Sequence, residues 1–147
     1  MNKDINLFAK VAVKINADAS SVWEALTTPE VIKQYFFGTK TFSDWKVGSR
    51  ITFKGIWEGK EYSDGGIILQ LNPEKILQYT YWSSMSGTED IPENYSTITF
   101  ELVKEDYGTL LTLTNDNCKT EQMRDHLTEN WRMVLNGLCT LLEKSKQ

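Results

Sequence analysis

The side chains that most often carry catalysis are scarce in this 147-residue chain, which has one histidine, His126, and two cysteines, Cys118 and Cys139. At helical spacing His126 falls next to an apolar stripe, so it could border a cavity and serve as a general base. The sequence names no partner for it, and a place on a helix surface is the plainer role. The cysteines stand 21 residues apart and outside any C-x-x-C pair. With a single histidine they cannot complete the four N/S ligands of a tetrahedral zinc site, so reduced, partly buried thiols are expected. Asp44, Glu58, Glu61 and Asp64 could supply acid–base carboxylates, but their surroundings read as turns, where acids are solvated. Arg50 and Arg132 could each anchor a ligand carboxylate or simply pair with a surface acid. There is no G-x-S-x-G elbow, and no Walker loop, dinucleotide fingerprint or H-E-x-x-H pair. No catalytic residue, metal site or cofactor is expected, and the chain reads as a binder rather than an enzyme.

Rings are abundant instead: five Trp, six Tyr and six Phe, 12% of the chain. Such rings fill a core or line a cavity for an apolar ligand. The cavity candidates are Tyr35, Phe36, Phe53, Trp57, Tyr79, Tyr81, Trp82 and Tyr95, with Met123, Leu127 and Trp131 near the C-terminus. If the cavity did chemistry, its polar groups would come from Tyr79, Tyr81, Tyr95, His126 and Asn130. Trp23 is expected to pack against a sheet.

The elements that would position these residues can be read from periodicity. Residues 7–15 alternate, with Leu7, Ala9, Val11, Val13 and Ile15 on one face and Lys10 and Lys14 on the other, as in a half-buried strand. Ser21-Val-Trp-Glu24 fits a capping box and Asp18 is a rival N-cap, so a short helix begins there. Thr28-Pro29-Glu30 starts a second, with Pro at its first position, ending near Phe36-Phe37-Gly38. From residue 41 the period is two again. Strands are expected at Arg50–Trp57, 62–71, Ile76–Trp82, 95–103 and 109–115, with a hairpin at Glu58-Gly59-Lys60 and turns at Asn72–Lys75 and Glu105–Gly108. Gly65-Gly66 predicts a bulge or bend. From Glu121 to Lys144 the apolar residues Met123, Leu127, Trp131, Val134, Leu138 and Leu141 recur at spacings of 4, 4, 3, 4 and 3, a long amphipathic helix. Thr120 suits its N-cap, and Lys144 and Lys146 its negative end.

Strand, two short helices, further sequential strands and one long helix predict an antiparallel sheet whose buried face is covered by the last helix. At 1.5 Å per residue that helix is about 36 Å long. The sheet must curl around it, bending at Gly65-Gly66 and Gly55. This is an α+β helix-grip fold, and the space between sheet and helix, closed at one end by the short helices, is where a ligand would sit. The Ser83–Asn94 connection is longer than the about 4–6 residues usual in compact domains. It is read either as a plain hairpin loop or as a flap whose Met85 and Ile91 close the cavity mouth beside Trp82. As a flap, it should tolerate removal of Ser84–Glu89 with little loss of stability.

Composition narrows the function classes. Lys and Arg total 16 against 20 Asp and Glu, a formal charge of −4, which argues against nucleic acid. No basic run suggests a membrane patch, and no apolar run approaches the roughly 20 residues of a bilayer span. The polar start Met1–Asn6 lacks a signal-peptide core. Residues 1–147 are expected to form one soluble, cytoplasmic domain.

Ser20-Ser-Val-Trp-Glu-Ala-Leu-Thr-Thr-Pro-Glu30 and Ile32-Lys-Gln-Tyr-Phe36 resemble the signature segment of the START-like (SRPBCC) superfamily, in the branch named after the C-terminal domain of the heat-shock-protein ATPase activator. Tyr35 stands where that branch usually has Trp. Lys46-Val-Gly-Ser-Arg-Ile-Thr-Phe53 is similar to the family's G-G-x-[FY] strand, with Ser49 for the second Gly, and Trp131–Leu138 to its final helix. The resemblance implies the helix-grip fold and three functions: a carrier or sensor of an apolar or amphipathic small molecule, a chaperone-ATPase-regulating module, or a polyketide cyclase or hydrolase. The carrier reading leads. The activators carry an additional N-terminal domain, whereas residues 1–6 alone precede the first strand here. No chaperone stimulation is therefore expected.

Overall fold

The computed structural model of the chain describes residues 7–144. The readings of Met1–Asn6 and of Lys146 therefore lie outside the described residues. The elements run β1 (Leu7–Ile15), α1 (Ala19–Thr27), α2 (Pro29–Tyr35), β2 (Lys40–Ser43), β3 (Arg50–Trp57), β4 (Lys60–Asn72), β5 (Ile76–Tyr81), β6 (Ser96–Glu105), β7 (Gly108–Cys118) and α3 (Glu121–Lys144). The strands form one antiparallel sheet in the order β1-β7-β6-β5-β4-β3-β2. This is the expected α+β helix-grip fold: a curled sheet, one long C-terminal helix and two short helices after the first strand.

Local chemistry explains the boundaries. Asp18 wins the N-cap of α1, its carboxylate accepting from the Ser21 amide at 2.9 Å and from Ser20 Oγ at 3.0 Å. Pro29 occupies the first turn of α2, where its missing N–H is no loss. Thr120 caps α3 through its hydroxyl, which accepts from the Met123 amide at 3.0 Å. The β3–β4 hairpin turns on Glu58 and Gly59, both at positive φ (49° and 82°), as a two-residue turn requires.

The bend sits at Gly65-Gly66. The N-terminal part of β4 pairs with β3, its C-terminal part pairs with β5, and Gly65 bridges Trp82 where the two overlap. A Cβ on Gly66 would collide with the Thr80 carbonyl, and one on Gly65 (φ 153°) with the Ile51 carbonyl. Gly55 plays a different part from the one expected: its missing side chain makes room for the Tyr62 ring, which covers it.

The concave face is packed by Val11, Ile15, Ile51, Phe53, Ile68, Leu77, Tyr79, Ile98, Phe100, Leu111 and Leu113. Helix α3 meets it with Trp131, Val134, Leu135 and Leu138; none of Glu121–Asn130 is buried. Met123, placed on the stripe by spacing, is 42% exposed, because the start of the helix overhangs the sheet.

Candidate functional site

The gap beneath the overhanging half of α3 is an open cavity of about 420 Å³. Its walls come from three places: Phe36, Phe37 and Thr39 after α2; Phe53, Trp57, Tyr62, Asp64 and Tyr81 on the inner face of β3–β5; and His126, Leu127, Asn130, Trp131 and Val134 on α3. The inner wall is ring on ring. Phe36 packs against Trp131 (centroids 5.6 Å apart), Phe53 (6.0 Å) and Phe37 (6.0 Å), and Phe53 lies 5.9 Å from Tyr81. Trp131 is pinned by its indole N–H, which donates to Asn115 Oδ1 at 3.0 Å in the interior.

One wall is polar. Asp64 is 8% exposed, and its carboxylate accepts from Tyr81 Oη at 2.7 Å and from the Ser84 amide and hydroxyl at 2.9 and 3.2 Å. Burial pushes the Tyr81 hydroxyl well above its ordinary range, and the Asp64 charge adds to this. Beside this group, Tyr62 and Thr39 share a hydroxyl–hydroxyl bond of 2.5 Å. On the helix side, Asn130 bonds to His126 Nε2 at 3.3 Å. The mouth is apolar and open, with Phe37, Trp57, Met85 and Met133 each between 44% and 55% exposed.

Of the cavity residues expected from sequence, Phe36, Phe53, Trp57, Tyr81, Leu127 and Trp131 share these walls. Tyr35 and Tyr79 lie behind them, bordering a separate gap of about 20 Å³. Burial pushes both their hydroxyls far up, and the Tyr35 hydroxyl donates to the Ala25 carbonyl at 2.8 Å. Trp82 and Tyr95 are turned to the β5–β6 loop, donating to Thr88 Oγ1 at 3.1 Å and Asp90 Oδ1 at 2.5 Å, and Met123 projects beyond the cavity. His126 and Asn130 line the walls; Arg50, on the outer face of β3, and Arg132, paired with Glu129 at 3.8 Å, do not.

Asp64 is the main residue that sequence reasoning misplaced. Asp64, grouped by its neighbours with the solvated turn acids, lies inside the strand expected at 62–71: β4 continues through the Gly65-Gly66 bend and turns the carboxylate inward. The loop reading also changes. Met85 reaches the cavity but Ile91 does not, and Ser84 holds Asp64 while its hydroxyl accepts from the Ser63 amide at 3.0 Å. Removing Ser84–Glu89 would therefore strip a buried carboxylate of two donors rather than leave stability unchanged.

Comparison with known proteins places this geometry. The family model described as Activator of Hsp90 ATPase homolog 1-like protein matches residues 16–143. The solution structure of ChR145 from Cytophaga hutchinsonii is 47% identical, with a TM-score of 0.83 and 95% of each chain covered. The Aha1 dimer from Colwellia psychrerythraea, 22% identical over 96% of this chain and 99% of that one (TM-score 0.73), shares the fold. So does DynU16, a putative protein in the dynemicin biosynthetic locus: it is 19% identical, with 94% of this chain and 48% of that one covered and a TM-score of 0.78. No curated protein matches the chain.

Proposed function

The chain belongs to the Activator of Hsp90 ATPase homolog 1-like family, within the START-like (SRPBCC) superfamily, and on that footing we propose that it binds an apolar or amphipathic small molecule beneath α3 as a carrier or sensor. The observation that carries this reading is the cavity of about 420 Å³, ring-lined on one wall and polar on the other. That volume falls within the range of small-molecule sites. Burying apolar ligand surface supplies affinity at about 25 cal/mol per Å², and the Asp64–Tyr81 and Thr39–Tyr62 groups give the ligand one orientation. In this reading residues 1–147 act as one domain in the cytoplasm, and no bond is made or broken.

Calorimetric titration with a panel of long-chain alcohols, a sterol and naphthylmethanol tests it. Micromolar binding of at least one member, weakened by Leu127→Arg at the cavity wall, is the expected result. No binding by any member, or binding indifferent to Leu127→Arg, overturns it. The exposed rim of Phe37, Trp57, Met85 and Met133 favours a second reading, a module that docks on a chaperone as the family name suggests. A stoichiometric rise in chaperone ATPase turnover would establish that one.

A further inference from the structure

The cavity's charge is one-sided. Asp64 is its one acidic lining residue, and no lysine or arginine lines it. Among the described residues Asp64 enters no ion pair. Its three donors are neutral: the Tyr81 hydroxyl on Oδ2, and the Ser84 amide and hydroxyl on Oδ1. A carboxylate offers about four acceptor sites, so Oδ2, which takes one bond, keeps room for another donor.

The nearby cations point elsewhere. Lys60 shares the inner face of β4 but sits four residues away at the exposed hairpin end, about 13 Å at 3.3 Å per residue. Lys54 lies on the outer face, over the Phe42 ring. His126, the one basic side chain of the lining, is exposed on α3 and bonded to Asn130. A buried carboxylate without a counter-charge is costly unless something supplies one. Beside it stand Phe53, its partner across β3–β4, Tyr62, two residues away on the same face, and Tyr81, bonded to it; aromatic rings of this kind attract a cation.

We infer that the cavity takes a cationic ligand: an amine or quaternary ammonium on an apolar or aromatic body, its charged end at Asp64 and its body against Phe36, Leu127 and Trp131. The inference rests on the proposed ligand-binding function and adds the charge of the ligand. A fatty acid or other anionic amphiphile would set its carboxylate against Asp64 with no lining lysine or arginine to neutralise it.

Three probes with one body and different heads test it in the wild-type protein near neutral pH: naphthylmethylamine, naphthylmethanol and naphthoate, each titrated calorimetrically. The expected order is amine tightest, alcohol next and carboxylate weakest, with the amine at least about tenfold tighter than the carboxylate. Asp64→Asn should bring the amine to within about twofold of the alcohol. If Asp64→Asn does not fold, Tyr81→Phe keeps the carboxylate and frees Oδ2, so the amine preference should persist or grow. A carboxylate that binds as well as the amine, or a preference unmoved by Asp64→Asn or lost in Tyr81→Phe, overturns the inference while leaving the ligand site standing. If none of the three probes binds, and the longer-chain panel fails as well, the site itself is wrong and the inference falls with it.

Discussion

Trp131→Ala is the perturbation whose magnitude the structure defines best. The ring is 7% exposed, packs edge-on against Phe36 and Phe100 at 5.6 and 5.9 Å, and donates to Asn115. Removing a packed Trp from a core costs about 3–5 kcal/mol. The lost hydrogen bond leaves Asn115 Oδ1 without its donor, and Asn115 is 3% exposed, which by itself costs about 1–3 kcal/mol. Asn115 borders the open cavity, so water can reach it once the indole is gone, and the second penalty falls at its low end. The two are not fully additive, and a total of about 4–5 kcal/mol follows, a large share of the about 5–15 kcal/mol typical of a domain. Trp131→Phe keeps most of the apolar contact and loses the bond, so about 1–2 kcal/mol is expected. Urea unfolding followed by far-UV circular dichroism reads both, provided the slope m is unchanged. A loss under about 1 kcal/mol in Trp131→Ala would refute the reasoning, because the ring would then not be holding the inner wall.

Other consequences are equally open to measurement. Burial raises the hydroxyl pKa of Tyr35, Tyr79 and Tyr81 in the folded state above the usual value near 10. Their contribution to stability is complete below about pH 10 and is lost as pH rises further, because the unfolded chain then ionises first. The melting temperature should fall steeply above that point, and a flat profile to pH 11 would contradict it. Gly66→Ala drives a methyl into the Thr80 carbonyl and should cost about 1–3 kcal/mol or more; a neutral effect would show that the bend does not need the close approach. Asp18→Ala should cost about 1 kcal/mol through loss of the α1 cap, with Ser21→Ala costing less. The reverse ranking would restore Ser21 as the cap.

The sequence was most legible where structure is local. β1 and α3 begin and end where periodicity put them, since a long run of period two or 3.6 is decided by which face is buried. β2 falls where the period of two resumes, at residue 41, but its four residues are too few for spacing to bound a strand. Asp64 is misplaced because a bend at Gly65-Gly66 looks solvated when read within one segment, whereas those glycines are needed by the Thr80 and Ile51 backbones, distant in sequence. Trp82 and Tyr95 look like Tyr81 by composition, yet their polar atoms find Thr88 and Asp90 in the loop and turn the rings away from the cavity. Met123 obeys the stripe, but nothing in the spacing tells how far the helix overhangs the sheet. Six of the ring and aliphatic candidates share one cavity, and its polar wall depended on pairings between strands that no single segment encodes.

A small molecule held between α3 and the sheet would be seen in intermolecular nuclear Overhauser effects from bound naphthylmethanol. Contacts from the naphthalene protons to the Leu127 methyls, the Trp131 indole and the Phe53 ring, with the alcohol end near Tyr81, are the predicted result. Contacts confined to the outer face, at Phe42 or Val103, would contradict the account.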